Sequence, residues 1–503
     1  MVVVGAGHNG LLAAIRLAQA GLEVTVLERS GTPGGAVRSV RDTLPGFVHD
    51  PCSGYFPLTH ASPAFQALGL IDEIAWVNPP LVMAHPFLDG AEIALHRDVD
   101  ATAASLEEAA AGAGTAWREL VTPLLTRAST VQHAALTPFP PVLPVARLAV
   151  ALRRDAVELA RRMVGSAASF GLDVFGDERA AAWLCGSTSH SDLTPGSAGG
   201  GAFAFFLNLL GHMTGWPSPV GGAQRLIDAM VARLDALGGK LRCHADVDAI
   251  VVAASRATGV RLAGGERVDA DAVVCTLSAG PLARILPEGA LPGRLHRRLR
   301  RWRYGLGTFK LDLCLSAPVP WATPAARRAA VVHVADSLPS LFRSPTQAGA
   351  GRAPDVPTMI VGQHSLHDRS RAPDGRHTLY AYTRAPQRLD VCDEAFADRM
   401  QERIEAFAPG FRDLVLARAI RSPQRLEEEN ASLVGGDLGG GSFEIDQQLV
   451  FRPAPELFRG RTPLRGLYLA GTSVHPGGGV HGVSGESAAR MVLRDRSATR
   501  FWR

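Results

Sequence analysis

Met1-Val2-Val3-Val4-Gly5-Ala6-Gly7-His8-Asn9-Gly10 (MVVVGAGHNG) runs a β-branched strand into a glycine turn, and Leu11 to Ala20 follows with Leu and Ala at helical spacing until Gly21 stops it. Glu23 to Leu27 is strand-like again, so the chain opens on a βαβ unit. The three glycines have separate roles there. Gly5 makes the tight turn, Gly7 lets the backbone touch a pyrophosphate, and Gly10 lets helix and strand pack closely. Ala6 and Asn9 fill the turn, whose amides face an anion at the helix N-terminus. Glu28 ends the second strand about 20 residues on, where a carboxylate accepts from ribose hydroxyls. A glycine turn alone is a common loop, but strand, helix and acid in register predict an α/β, Rossmann-like dinucleotide-binding fold. The carboxylate at 28 disfavours a 2′-phosphate, which narrows the dinucleotide to NAD or FAD.

Outward from this block, Gly222 to Leu237 is helical in period. Lys240 to Cys243, Ala249 to Ala253, Gly259 to Leu262, Ala272 to Thr276 and Leu467 to Ala470 read as strands, and Gly485 to Leu493 as a closing helix. Residues from about 100 to 170 are Ala/Leu/Arg-rich at helical spacing, broken by the Pro-rich Thr137 to Pro144, and strands such as Thr308 to Leu315 mix with loops further on. The pattern predicts a discontinuous nucleotide-binding domain of segments 1–80, 216–288 and 440–503. A mixed α+β substrate domain would be formed by 81–215 and 289–439. Pro345 to Pro357 and Gly435 to Ser442 are expected to be the most mobile segments.

The chain has 503 residues, 46% hydrophobic and 20% charged, enough for a large core and more than one domain. The net charge of +4 is dispersed, with no basic arm for nucleic acid, so a small molecule is the expected partner. Six scattered cysteines form no C-x-x-C pair. Free thiols and the absence of a leader-like opening point to a cytoplasmic setting, and no apolar run reaches the roughly 20 residues that span a bilayer. His60, His190, His212 and His481 belong to no metal motif and His364/His367 read as solvated loop histidines, so no metal is expected.

After Glu28 come Arg29, Gly34-Gly35 and Arg38 (ERSGTPGGAVR), and near the end Gly466 to Leu493 (GLYLAGTSVHPGGGVHGVSGESAARMVL). On these blocks the sequence resembles the phytoene-desaturase-like branch of the FAD-dependent amine oxidase superfamily. Gly441 to Pro453 (GSFEIDQQLVFRP) is similar to members near the β-carotene ketolase type. The resemblance implies FAD, with Arg29, Gly34, Gly35 and Arg38 near the pyrophosphate and Val247 against adenine, although Val247 is equally readable as a core residue. Gly471 and Thr472 would approach the ribityl chain, with amides of Gly479 and Val480 near the flavin pyrimidine. It further implies hydride transfer between a C–H bond of an apolar, carotenoid- or isoprenoid-like substrate and the flavin. No second strand-G-x-G-x-x-G-helix unit offers a nicotinamide site, so oxygen, a quinone or another carrier is the expected acceptor. Saturation, isomerisation and ketolation share this fold, as do amine and amino-acid oxidases. Non-catalytic prenyl-lipid carriers are the alternative of another class.

Two catalytic candidates follow from the same resemblance. Lys310 in GTFKLDLCL would hold a water beside the flavin, or else reach solvent from a strand end. His475 would move a proton near the flavin, or else simply form a turn. Ala202 to Leu210 (AFAFFLNLL) would line a tunnel, dip into a membrane surface as a peripheral contact, or lie buried as a helix.

Overall fold

The computed structural model describes residues 1–500, with side chains to residue 497. Five short strands form a parallel sheet in the order Leu467–Leu469, Val273–Cys275, Val2–Val4, Thr25–Leu27, Lys240–Arg242. The register aligns Val4 with Cys275 and Leu27, Cys275 with Leu469, and Leu27 with Arg242. All five carboxyl ends therefore share one edge, and the turns that leave them converge there. Strand side chains alternate between faces. Val3, Val26 and Val274 pack under helices His8–Gln19, Gln224–Ala236 and Val483–Arg500. Val2, Val4, Val273 and Cys275 pack towards an antiparallel sheet of Val247–Ala253, Arg256–Leu262 and Arg267–Asp269. A central strand buried on both faces needs the unbroken valine run seen at residues 2–4.

The second layer system is a seven-stranded mixed sheet, ordered Val415–Arg421, Gly307–Leu315, His377–Ala385, Met359–Gly362, Val331–Val334, Leu81–Pro86, Glu92–His96. Phe309, Leu311 and Leu313 face the helix Asp393–Phe407, while Met83, Ile360 and Tyr382 face the helices between Val99 and Met213. Strands of the parallel sheet come from segments 1–80, 216–288 and 440–503, and those of the seven-stranded sheet from 81–215 and 289–439.

Three local expectations fail. Pro345 lies inside the helix Leu338–Gly349, which a Ser337/Ser340 capping box starts, so residues 345–349 of the expected loop are helical. Gly435 to Ser442 is buried rather than mobile. The Asp437 carboxylate gathers it by accepting from the amides of Gly305 (2.9 Å), Gly439 (2.6 Å) and Gly441 (2.8 Å). His364 is buried, stacked 4.3 Å from Tyr55 and bonded to Gly54 O at 3.1 Å, so it is no solvated loop residue.

Candidate active site

The shared carboxyl edge of the parallel sheet opens a cleft of about 280 Å³. Gly5, Gly7, Asn9, Gly10, Glu28, Arg29, Gly35, Arg38, Val247, Gly471 and Thr472 all line it. Ala6 and Gly34 stand just behind its wall. Ala6 donates its amide to Glu28 Oε2 (2.8 Å), and Ser30 donates to Oε1 (2.9 Å), so the turn itself aims the carboxylate. Gly34 has φ +132°, and a Cβ there would lie 2.4 Å from Val37 O. Arg38 is ion-paired with Glu429, and Arg29 reaches Glu428 O at 3.4 Å, which ties this wall to the helix Pro423–Glu429.

The glycine roles separate cleanly. A Cβ on Gly10 would lie 2.1 Å from Gly5 O, and one on Gly5 (φ +96°) 2.1 Å from Thr276 Oγ1, so the protein's own packing requires both. A Cβ on Gly7 would meet only Gly34 O at 3.8 Å. The protein's own packing therefore does not require a glycine at this position. His8 Nε2 and Asn9 Oδ1 are buried there without a hydrogen-bond partner among the described residues, as expected of a wall completed by a polar ligand. Together these features fit a bound dinucleotide.

Gly479 and Val480 line a second cavity of about 220 Å³, walled mainly by Tyr55, Phe56, Phe203, Leu207, Trp216, Tyr380, Tyr382 and Phe443. The two spaces share His8, Ala36, Leu438 and Thr472 in their walls, so they adjoin one another. Phe203 and Leu207 come from helix Gly200–Met213, whose Ala204, Phe205, Leu209 and Leu210 are buried. The apolar stretch is thus both a core helix and a cavity wall. Asp192 in this wall also borders a wide surface cleft.

Neither catalytic candidate lines either space. Lys310 is only 1% exposed, ion-paired with Asp312, which Arg421 also contacts at 2.9 Å, and its Nζ lies 4.2 Å over the Tyr380 ring. It stands behind the cavity wall and reaches neither solvent nor the site, because its strand is buried along its whole length. His475 packs against Phe139, ring centroids 5.1 Å apart, outside both walls. The residues that sequence reasoning passed over are His8, which sits inside the glycine turn itself, and Leu438, delivered by the Asp437 turn. Among the described residues no group of His, Cys, Asp and Glu is arranged to hold a metal ion.

Several buried histidines here are neutral. Burial pulls His8, with His481 beside it, from 6.5 to about 3, likewise His190 near Arg384 and His364 near Arg371, and takes His481 to about 4. Folded values below unfolded ones mean that the unfolded chain binds more protons as pH falls below 6.5, so stability present above that pH is lost on acidification. Each such histidine should remove about 1.4 kcal/mol per pH unit well below its unfolded value. Urea midpoints should therefore fall steeply between pH 6.5 and 5, and a flat profile there would show these rings charged in the fold.

The family model described as flavin containing amine oxidoreductase matches residues 10–493. "Pyridine nucleotide-disulfide oxidoreductase domain-containing protein 2" of Rattus norvegicus is 28% identical across 98% of this chain and 93% of its own length. Hydroxyneurosporene desaturase of Cereibacter sphaeroides is 28% identical across 98% and 97%. An oxidoreductase from Methanosarcina mazei has a similar fold, with a TM-score of 0.65 at 18% identity over 98% of this chain and 99% of its own. A redesigned putrescine oxidase scores 0.64 at 16% over 99% and 98%. With a family match over nearly the whole chain and a cleft fitted to a dinucleotide, the chain belongs to the flavin containing amine oxidoreductase family and is an FAD-dependent oxidoreductase.

Proposed function

We propose that this protein oxidises an apolar, isoprenoid- or carotenoid-like substrate by hydride transfer from a substrate carbon to the flavin. The carrying observation is the aromatic second cavity that adjoins the nucleotide cleft at His8, Ala36, Leu438 and Thr472. FAD supplies the two-electron oxidant when bound. Gly5, Gly7, Gly10, Glu28 and Val247 would hold its adenosine and pyrophosphate end, and Gly471, Thr472, Gly479 and Val480 its far end. The chain's own contribution is orientation and exclusion of water by Tyr55, Phe203, Trp216 and Tyr380. The carotenoid-desaturase names of several relatives support the substrate class. In the wall of the second cavity the Asp437 carboxylate is engaged by three backbone amides, which leaves it little capacity for an amine substrate.

Oxygen or a quinone is the proposed acceptor, since the described residues show one parallel sheet with a glycine turn and the neighbouring three-stranded sheet is antiparallel. Peripheral membrane contact is proposed at helices Val142–Leu152 and Arg154–Val164. Val142, Leu143, Val150 and Val157 are exposed on these helices, which also carry Arg147 and Arg154, with Arg153 at their junction. No helix among the described residues is long and apolar enough to cross a membrane. Anaerobic mixing of the flavin-loaded protein with isoprenoids presented in anionic vesicles should bleach the visible flavin band, and amines should not. Bleaching by amines alone would overturn the reading.

A further inference from the structure

Most polar groups in the wall of the second cavity are already engaged. Tyr55 Oη donates to Ala330 O (2.6 Å) and accepts from Gln363 N (3.1 Å), and Tyr380 Oη donates to Cys52 O (2.6 Å). The Arg384 guanidinium donates to the carbonyls of Ser189 (3.2 Å) and His190 (2.6 Å) and to Thr308 Oγ1 (2.8 Å). Tyr382 differs. Its Oη meets Nδ1 of His190 at 2.9 Å, and His190 Nε2 meets Nε2 of His333 at 3.1 Å. His333 lies behind the wall, 1% exposed, and its Nδ1 has no hydrogen-bond partner among the described residues.

The protons of this row can be placed. Burial pulls His190 to about 3 and holds His333 well below its ordinary value, so both rings are neutral and each carries one N–H. With the proton on Nδ1, His333 would bury a donor without an acceptor, the rarer and costlier kind of orphan. With it on Nε2, His333 donates to His190, whose own proton then sits on Nδ1 and is donated to Tyr382 Oη. The phenol oxygen thus accepts from its wall neighbour His190, and its O–H must point elsewhere. Burial lifts Tyr382 to about 12, so it keeps that proton, while the Arg384 guanidinium 5.6 Å from the ring centroid polarises it.

Resting on the apolar-substrate reading above, we propose that Tyr382 donates its hydroxyl proton into the cavity to an oxygen of the substrate. The substrate is then an isoprenoid-like chain that bears a hydroxyl, carbonyl or ether oxygen. His190 and His333 are positioning residues that fix the direction of this hydrogen bond. A pure hydrocarbon would leave the buried O–H unmet, and sites of this construction discriminate strongly against the analogue that lacks the polar atom.

The test uses the flavin-loaded protein and two probes, farnesol and the oxygen-free farnesene, with dissociation constants from equilibrium dialysis. Farnesol should bind about tenfold more tightly than farnesene. Tyr382→Phe should erase that preference by weakening the alcohol alone, with flavin content unchanged and the thermal midpoint lowered by the His190 N–H left without its acceptor. His333→Phe should shrink it, because His190 is then free to accept from Tyr382. Nitrogen spectra of the histidine-labelled protein should show His190 protonated on Nδ1 and His333 on Nε2. Equal binding of the two probes, or the opposite tautomers, would overturn the proposal while leaving an apolar substrate in place. Binding of neither probe would overturn the apolar reading itself.

Discussion

Gly7→Val protein is expected to purify folded and colourless, with FAD affinity down at least about a hundredfold, because overpacking the pyrophosphate path costs roughly 3 kcal/mol. The fold should survive, since a Cβ at Gly7 meets nothing nearer than Gly34 O at 3.8 Å. Gly10→Val supplies the contrast. There the new atoms would press on Gly5 O at 2.1 Å, so the strand–turn–helix junction itself should fail. Circular dichroism with the visible spectrum of the purified proteins separates the two cases. A normal flavin spectrum from folded Gly7→Val protein would remove the turn from the pyrophosphate site.

Arg452→Met should lower stability by about 3–5 kcal/mol, the cost of breaking a buried, hydrogen-bonded charge. Arg452 is 0% exposed. It donates to the carbonyls of Gly439 (2.6 Å), Ser442 (3.1 Å) and Thr472 (3.0 and 3.1 Å), with its guanidinium 5.4 Å from the Phe443 ring and 5.8 Å from Trp302. Methionine would fill much of the volume but leave those carbonyls unmet. The same substitution loosens Leu438 and Thr472, which both spaces share, so flavin retention should fall with stability. Urea unfolding with and without added FAD measures both. A change under about 1 kcal/mol would mean that backbone packing alone holds the turn.

The cofactor end of the site was legible because its requirements are local. Gly5, Gly10 and Glu28 act through neighbours in one βαβ unit, and the Gly471–Thr472 turn repeats the same grammar after another strand of the same sheet. Lys310 shows where locality ends. Alternation along GTFKLDLCL places Lys310 and Asp312 on one face, a visible sign of an ion pair, but nothing local says that this face packs against Cys52 and Arg421 instead of a flavin. The Asp437 turn looked mobile because glycine composition was read without the one carboxylate that gathers its amides. The row of Tyr382, His190 and His333 joins three distant segments with no shared spacing, so only the folded seven-stranded sheet and its helices reveal it.

Strand Val2–Val4 occupies the middle of the parallel sheet, yet one neighbour is Val273–Cys275, and the strand beyond that, Leu467–Leu469, lies near the other end of the sequence. During synthesis Val2–Val4 pairs first with Thr25–Leu27 and keeps one open edge until Val273–Cys275 emerges, and that strand in turn stays an edge until Leu467–Leu469 is made. Flavin capture then waits until residues 471 and 472 have been made, since both line the cleft. Polypeptides truncated before residue 467 should depend on chaperones to keep the open edge of Val273–Cys275 from aggregating.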